Sequence, residues 1–94
     1  LEFSMLKTLE NLISTIRQKK TSPDEKSYTS KLLRDKNLSV EKVKEEIAEL
    51  IEAVENNSNT VHEAADVLYH LLVYLEGNGV RIEDIMLELD KRRK

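Results

Sequence analysis

The chain has 94 residues, of which 39 % are hydrophobic and 35 % charged, with a net charge of −3, two glycines and one proline. This balance is typical of a single α-helical domain, and the lack of cysteine excludes a disulfide framework or a thiolate metal site and favours a cytoplasmic location. No apolar run reaches membrane-spanning length and no signal-peptide pattern opens the chain, so no membrane partner is expected.

Positive and negative charges occupy different parts of the chain. Between Arg17 and Lys36 there are seven basic and three acidic residues, whereas between Glu41 and Asp66 there are eight acidic and two basic residues. A basic segment beside an acidic one suits a ligand that carries phosphates and a metal, although solvated helix faces would give the same counts. Nucleic-acid binding is not expected, because the basic stretch is short and a strongly acidic helix follows it.

The first predicted element is a helix from Met5 to about Lys20, where apolar residues recur at helical spacing. Residues 1–4 read as a cloning remnant, so the single domain is placed at residues 5–94. Residues 21–37 contain the only proline and several turn-forming residues. They predict a loop with a short helix around Tyr28–Arg34.

A longer helix is predicted from an N-cap at Ser39 to about residue 55. Apolar residues repeat along one stripe of this helix and predict the face that it buries. The centre of the stripe is formed by Val43, Ile47 and Val54. Glu46 lies at the edge of the stripe.

Residues 56–59 predict a turn, after which Thr60 and Glu63 form a T-x-x-E capping box at the start of the next helix. That helix should end before the sequence at 77–79, whose two glycines can supply left-handed conformations. A last helix is predicted over Ile82–Arg92. These elements predict an all-α fold, a small bundle of about four to five helices.

The two central helices should form an antiparallel pair, because a short turn joins them. The second of the pair has one apolar stripe and further apolar residues around most of its circumference. The stripe consists of Ala64, Leu68, Leu71, Leu72 and Leu75. A helix of this kind needs cover on most sides, and a chain this short has few helices to supply it, so we expect a homodimer to complete the bundle.

Four carboxylates have the spacing of a metal site. Glu46 and Glu49 are three residues apart, as are Glu63 and Asp66, so each pair lies on one helix face. Across an antiparallel pair the two faces can meet, and a hard cation would relieve the repulsion among four close carboxylates. Oxygen ligands without sulfur favour Mg²⁺, Mn²⁺ or Ca²⁺.

Each acid also has a simpler interpretation. Glu46 and Glu49 could belong to a solvated helix face, and Glu63 could serve only in the capping box. Asp66 is harder to explain in this way, because its neighbours at positions 64, 65, 67 and 68 are all apolar. His70 is expected to hydrogen-bond within the core or to orient a carboxylate rather than to bind metal itself.

These motifs resemble those of a known superfamily. "EEIAE" at 45–49 followed by "EAAD" at 63–66 resembles the EExxE…ExxD signature of the all-α, MazG-like nucleotide pyrophosphatases. Four longer segments resemble the phosphoribosyl-ATP pyrophosphohydrolase family of histidine biosynthesis: "SYTSKLL" (27–33), "EKVKEEIAEL" (41–50), "EAADVLYHLLVYL" (63–75) and "GVRIEDIMLEL" (79–89). The likeness covers about residues 5–92.

The resemblance implies Mg²⁺-dependent hydrolysis of phosphoribosyl-ATP to phosphoribosyl-AMP and pyrophosphate, with Mn²⁺ as a possible substitute. It implies four metal ligands: Glu46, Glu49, Glu63 and Asp66. Glu45, or another of the carboxylates, would orient or deprotonate the attacking water.

The resemblance also implies a set of residues near the phosphates or ribose of the substrate: Ser27, Tyr28, Thr29, Lys31 and Lys42. Lys31 is the first choice for a charge partner of phosphate, and Lys42 the second. Two alternatives remain open. One is a house-cleaning pyrophosphatase that acts on dUTP or another nucleoside triphosphate, and the other is a non-catalytic dimeric helical interaction module.

Overall fold

The computed structural model describes residues 2–93, with side chains described from residue 7 onwards. This part of the chain folds into five helices: α1 (Glu2–Thr21), α2 (Tyr28–Arg34), α3 (Lys36–Asn56), α4 (Thr60–Gly77) and α5 (Ile82–Arg92). The predicted all-α fold is confirmed. Leu1 and the side chains of residues 2–6 lie outside the description, so the expected cloning remnant stays a prediction. No helix within residues 2–93 could span a membrane.

Helix α4 lies at the centre of the fold and contacts each of the other four helices, most extensively α3. The buried core is formed where α1, α2 and α4 meet, and it contains Ile13, Ile16, Leu32, Leu72 and Val73. Burying such side chains is the main favourable contribution to folding, at about 1.5–3 kcal/mol for each fully buried aliphatic side chain. The short helix α2 is therefore fixed against α4 through Leu32, although it is only seven residues long.

A single residue, Asp35, separates α2 from α3. Its backbone N–H bonds to the carbonyl of Lys31 and closes α2, while its carboxylate accepts a hydrogen bond from the N–H of Leu38 and caps α3. The prediction that α3 begins at Ser39 was wrong. The Asp35 carboxylate already satisfies an N-terminal donor, so the N-cap lies four residues earlier than predicted and Ser39 is buried inside the helix.

The turn between α3 and α4 uses two asparagines in the left-handed conformation, Asn57 and Asn59. Asn59 is the N-cap of α4, but its side chain makes no capping hydrogen bond. The predicted Thr60–Glu63 capping box was wrong. The hydroxyl of Thr60 instead donates to the carbonyl of Ala53, 3.3 Å away in the last turn of α3, and so ties the two helices together.

Helix α4 includes Gly77 and is capped by Asn78, so its predicted end came one residue too early. Of the two glycines, only Gly79 has a left-handed backbone, with φ of 77°. The side chain of Leu33 packs against Gly77, where a Cβ atom would lie 3.2 Å from its Cδ2. Gly77 therefore permits close approach of α2, and Gly79 makes the turn into α5.

The face of α3 that packs towards α4 differs from the predicted face. Its buried residues are spaced by seven: Ser39, Glu46 and Ala53. Part of the predicted apolar stripe is instead exposed in the single chain. Ile47, Ile51 and Val54 are 42 %, 55 % and 58 % exposed, whereas Val43 is half-buried. The small side chains at 39 and 53 permit close packing of the two helices, and this rotation carries Glu46 inward.

Helix α4 also exposes apolar residues in the single chain. Val61 and Leu68, seven residues apart on one face of α4, are also exposed, although Leu68 was predicted to lie in a buried stripe. We call the exposed apolar residues of the two helices the hairpin face: Ile47, Ile51, Val54, Val61 and Leu68. Exposed apolar residues in this number are typical of a surface that is covered by a partner.

An ionic cluster attaches α5 to the rest of the fold. The guanidinium of Arg17 donates to both carboxylate oxygens of Glu76, at 3.0 and 2.9 Å, and to both of Glu83, at 2.9 and 2.6 Å. The Glu76 side chain is only 4 % exposed, whereas that of Arg17 is 34 % exposed. None of the residues of α5 is buried, so this cluster is its strongest polar link to α1 and α4.

Candidate active site

Two groups of potential metal ligands lie on α3 and α4, the two helices that pack most closely. On α3, Glu45, Glu46 and Glu49 each offer an oxygen within 4.8 Å of the others. On α4, Glu63 and Asp66 form a second such group together with His62. The four acids singled out by spacing thus fall into two local clusters on neighbouring helices.

Glu46 shows that the two clusters act on each other. Its pKa is raised above the ordinary 4.5, first by burial and then by repulsion from Glu49, Asp66 and Glu63, while His70 opposes the shift. Three other carboxylates therefore influence one buried carboxylate, two of them from the opposite helix. This arrangement destabilises the state in which all four carboxylates are ionised, unless a cation binds among them.

Two carboxylate oxygens in this region are buried without a hydrogen-bond partner, Glu46 Oε1 and Glu63 Oε1. A buried polar atom that lacks a partner costs about 1–3 kcal/mol, and more if it is charged. Glu63 takes no part in capping α4, so helix capping does not explain why its Oε1 atom is buried. A polar cleft of about 340 Å³ also has Glu49 and Glu63 on its walls.

The chemistry of these residues fits a hard divalent cation. Every predicted ligand is a carboxylate, a ligand type that suits Mg²⁺ and Mn²⁺, and the two unpartnered oxygens come from different helices. His62 was not predicted, but its Nε2 lies 3.3 Å from Asp66 Oδ2. The signal was the i,i+4 spacing of His62 and Asp66, which places both on one face of α4.

Lys42 lies beside the α3 cluster. Its ammonium group is 2.9 Å from Glu45 Oε1, one turn along the same helix, and this hydrogen bond raises the pKa of Lys42. The positive charge of Lys42 also acts on Tyr28 of α2, whose pKa is raised mainly by burial. Residues from two of the predicted motifs, one on α2 and one on α3, thus come together near the carboxylates.

Helix α2 is joined to α4 by two side-chain hydrogen bonds and by ring contacts. The hydroxyl of Tyr28 is 3.0 Å from His70 Nε2, and the hydroxyl of Thr29 is hydrogen-bonded to that of Tyr69. The rings of Tyr28 and Tyr69 are stacked with centroids 6.3 Å apart, and His70 packs edge-on against both. The expected role of His70, a hydrogen bond within the core, agrees with its 7 % exposure.

The two remaining predicted residues, Ser27 and Lys31, lie one turn apart at α2. Ser27 is its N-cap, and its hydroxyl accepts a hydrogen bond from the N–H of Ser30. Lys31 is exposed in the last turn and has no ion pair among the described residues. The structure therefore brings Lys42 to the carboxylates by direct contact, whereas Lys31 extends into solvent.

The family profile and the similar proteins point to the same family. The phosphoribosyl-ATP pyrophosphohydrolase profile matches residues 9–93. The chain is 42 % identical to phosphoribosyl-ATP pyrophosphatase of Methanoregula boonei, over 95 % of this chain and 90 % of that protein. It is also 42 % identical to the protein of the same name from Methylobacterium nodulans, over 90 % of this chain and 82 % of that protein.

A further relative is much longer. The chain is 41 % identical to a histidine biosynthesis bifunctional protein of Arabidopsis thaliana, over 98 % of this chain but only 34 % of that protein. The chain thus spans about a third of this bifunctional relative, whereas it spans most of the two single-function relatives.

Proposed function

The chain belongs to the phosphoribosyl-ATP pyrophosphohydrolase family, and we propose that it hydrolyses phosphoribosyl-ATP to phosphoribosyl-AMP and pyrophosphate in histidine biosynthesis. The observation that carries the proposal is the pair of unpartnered buried oxygens, Glu46 Oε1 and Glu63 Oε1, on neighbouring helices. Carboxylates are poor ligands for a triphosphate unless a cation lies between them. The absence of cysteine favours a cytoplasmic location for this chemistry.

The residues that would hold Mg²⁺, or Mn²⁺ in its place, are Glu46, Glu49, Glu63 and Asp66. When bound, the ion would neutralise charge on the triphosphate and on the departing pyrophosphate. The carboxylates themselves fix where the triphosphate can lie, because two come from each helix of a closely packed pair.

Glu45 is the proposed acceptor of the proton released by the attacking water. One of its oxygens, Oε1, is held by Lys42, and its side chain is 51 % exposed, so Oε2 can face a water molecule. The water oxygen forms a bond to the α-phosphorus, and the bond from that phosphorus to the oxygen bridging it to the β-phosphate breaks. Pyrophosphate leaves with the bridging oxygen, and the proton of the water passes to the carboxylate. The hydrogen bond from Lys42 holds this carboxylate in a fixed position on α3.

Helix α2 would bind the remainder of the substrate. Tyr28 and Thr29 are held against α4 by hydrogen bonds, so their positions relative to Asp66 are fixed. Ser27, the N-cap of α2, and Lys31, one turn further along, complete the proposed contacts to phosphate or ribose.

A pyrophosphate-release assay with Mg²⁺ tests the substrate by comparing phosphoribosyl-ATP with dUTP, dCTP and ATP. Selective turnover of phosphoribosyl-ATP is the expected result. Preference for a free nucleoside triphosphate would assign the carboxylates to a house-cleaning pyrophosphatase instead. No turnover of any of the four would contradict the enzymatic function and favour an interaction module.

We further propose that a second copy of the chain covers the hairpin face and forms a homodimer. Ile51 and Leu68 are both more than half exposed in the single chain, and Val61 is 84 % exposed. Sedimentation analysis of Ile51→Glu, with Leu87→Glu of α5 as the matched control, tests this. Dissociation of the Ile51 variant alone is expected, and a monomeric wild-type protein would overturn the proposal.

A further inference from the structure

A second cavity, of about 220 Å³, lies between the end of α1, helix α2 and the end of α4. Three basic side chains line it: Lys19, Lys20 and Arg34. The rest of its wall is formed by Pro23, Ser30, Leu33 and Gly77. We call this cavity the basic pocket. A water molecule occupies about 30 Å³ of liquid, so the cavity has room for a phosphate group and bound water.

The positive charge of the basic pocket is only partly compensated within the chain. Lys19 is 3.6 Å from one carboxylate oxygen of Asp24. Lys20 donates one hydrogen bond, of 2.6 Å, to the backbone carbonyl of Glu76, which fixes its ammonium group and leaves two N–H donors free. Arg34 has neither an ion pair nor a side-chain hydrogen bond within the described part of the chain.

Ser30 adds a buried neutral donor to these cations. It is 1 % exposed, and its oxygen accepts a hydrogen bond from the backbone N–H of Asp24 at 3.0 Å. The hydrogen of the hydroxyl remains available to an acceptor in the pocket. Arginine, lysine and a hydroxyl around a small cavity are the donors that bind a phosphate monoester.

The basic pocket lies at the end of α4, whereas the proposed metal ligand Asp66 lies in the first half of the same helix. Helices α2 and α4 run in the same direction, because Tyr28 contacts His70 and Leu33 contacts Gly77 further along both helices. Eleven residues separate Asp66 from Gly77 on α4, which is roughly 16 Å at the helical rise of 1.5 Å per residue. Helix α2 bridges this interval.

We propose that the basic pocket binds the phosphate monoester on the phosphoribosyl group of the substrate, while the carboxylates hold its triphosphate. The proposal rests on the proposed function, since phosphoribosyl-ATP carries phosphate at both ends, separated by two ribose rings and a purine. ATP and dUTP lack the second phosphorylated ribose. The basic pocket would therefore be the part of the site that selects phosphoribosyl-ATP over ordinary nucleoside triphosphates.

Stabilisation of the helix ends is a simpler role for the three basic residues of the pocket. Lys19, Lys20 and Arg34 lie in the last turns of α1 and α2, where positive charge stabilises a helix. That role predicts small changes in stability and no change in the Michaelis constant. Binding of the second phosphate predicts the opposite pattern.

Steady-state kinetics of Arg34→Gln with phosphoribosyl-ATP distinguish the two roles. Loss of one charged hydrogen-bonding partner should raise KM roughly tenfold or more with little change in kcat. Lys7→Gln, which removes an exposed positive charge from the distant first turns of α1, is the matched control and should leave both constants unchanged. Equal kinetics for the two variants would overturn the proposal.

Ribose 5-phosphate provides a probe that does not depend on turnover. Titrated into the full chain without metal, it should shift the amide NMR signals of Lys20, Arg34 and Gly77, and Arg34→Gln should abolish the shifts. Shifts spread over all basic residues, or none, would contradict the basic pocket. Local shifts in a protein that does not hydrolyse phosphoribosyl-ATP would support the pocket and contradict the proposed function.

Discussion

Tyr28 and His70 connect α2 to α4, through a 3.0 Å hydrogen bond between the Tyr28 hydroxyl and His70 Nε2. His70 Nδ1 lies 2.8 Å from the backbone carbonyl of Asp66. A carbonyl can only accept, so Nδ1 carries the proton, and in the neutral imidazole Nε2 accepts from the hydroxyl. The position of α2 is thus linked to the backbone of a proposed metal ligand.

Tyr28→Phe should therefore lower the free energy of unfolding by about 1 kcal/mol, because His70 Nε2 loses its donor in a buried position. Urea unfolding followed by circular dichroism measures the change. Tyr74→Phe is the matched control, since its hydroxyl has no hydrogen bond among the described residues. A Tyr28 variant as stable as the Tyr74 variant would contradict the structural role of this bond.

Glu46 should make the metal-free protein less stable as the pH rises. Its pKa is raised in the folded state, mainly by burial, so the folded protein holds this proton more tightly than the unfolded chain does. The associated stabilisation is present at low pH and is lost as the pH rises through the window above 4.5. Glu46→Gln should consequently be more stable than wild type at neutral pH in the presence of a chelator.

Chemical unfolding at several pH values tests this behaviour. Glu55→Gln, an exposed charge change on the same helix, should leave the pH dependence as in wild type. If Glu46→Gln were less stable than wild type at neutral pH without metal, the four carboxylates would not repel one another as the structure indicates.

Arg17→Gln should remove the ionic cluster that attaches α5. The expected loss is about 2 kcal/mol, because the nearly buried carboxylate of Glu76 loses a charged donor with two hydrogen bonds. Arg81→Gln is the matched control. Arg81 pairs with Glu83 at the surface, at 3.3 Å, so its loss should cost about 0.5 kcal/mol or less.

The same cluster should stabilise the fold only above acidic pH. Hydrogen bonds from Arg17 lower the pKa of Glu76 and lower that of Glu83 to about 2. A lowered carboxylate pKa stabilises the fold above the unfolded value of about 4.5, and this stabilisation is lost as the pH falls towards 2. The stability difference between wild type and Arg17→Gln should therefore shrink between pH 4.5 and 2. A constant difference would exclude the electrostatic origin.

Local signals in the sequence predicted most of the helices. The bounds of α2 and α5 agree with the predictions, because turn-forming residues and glycines mark their ends. The predicted starts of α3 and α4 were both wrong, and for the same reason. Ser39 and Thr60 both suit an N-cap, but Asp35 and Asn59 come first and complete the turn geometry.

Long-range relationships were harder to predict. Helical periodicity predicted that the stripe around Ile47 is buried, whereas the buried residues of α3 are Ser39, Glu46 and Ala53, so that Glu46 lies inward between two small residues. Periodicity measures which face is apolar, and an apolar face can equally meet a second chain. The contact of Arg17 with Glu76 joins residues 59 apart in the sequence, a separation at which spacing gives no signal.

Mg²⁺ should raise the melting temperature of the protein through the four carboxylates. A ligand that binds only the folded state adds about 2.7 kcal/mol of stability at a concentration a hundred times its dissociation constant. Asp66→Asn should lose this response, whereas Glu55→Gln should retain it. An unchanged response in Asp66→Asn would show that the ion binds elsewhere.

The most direct test of the site is pyrophosphate release from phosphoribosyl-ATP by wild type, Asp66→Asn and Glu55→Gln, each with Mg²⁺ and with chelator. Wild type and Glu55→Gln should be active only with Mg²⁺, and Asp66→Asn should fold normally but lose roughly 10²–10³ in rate, as expected for one lost electrostatic contact. A folded Asp66→Asn protein with wild-type activity would contradict the assignment of the carboxylates on α3 and α4 as the active site.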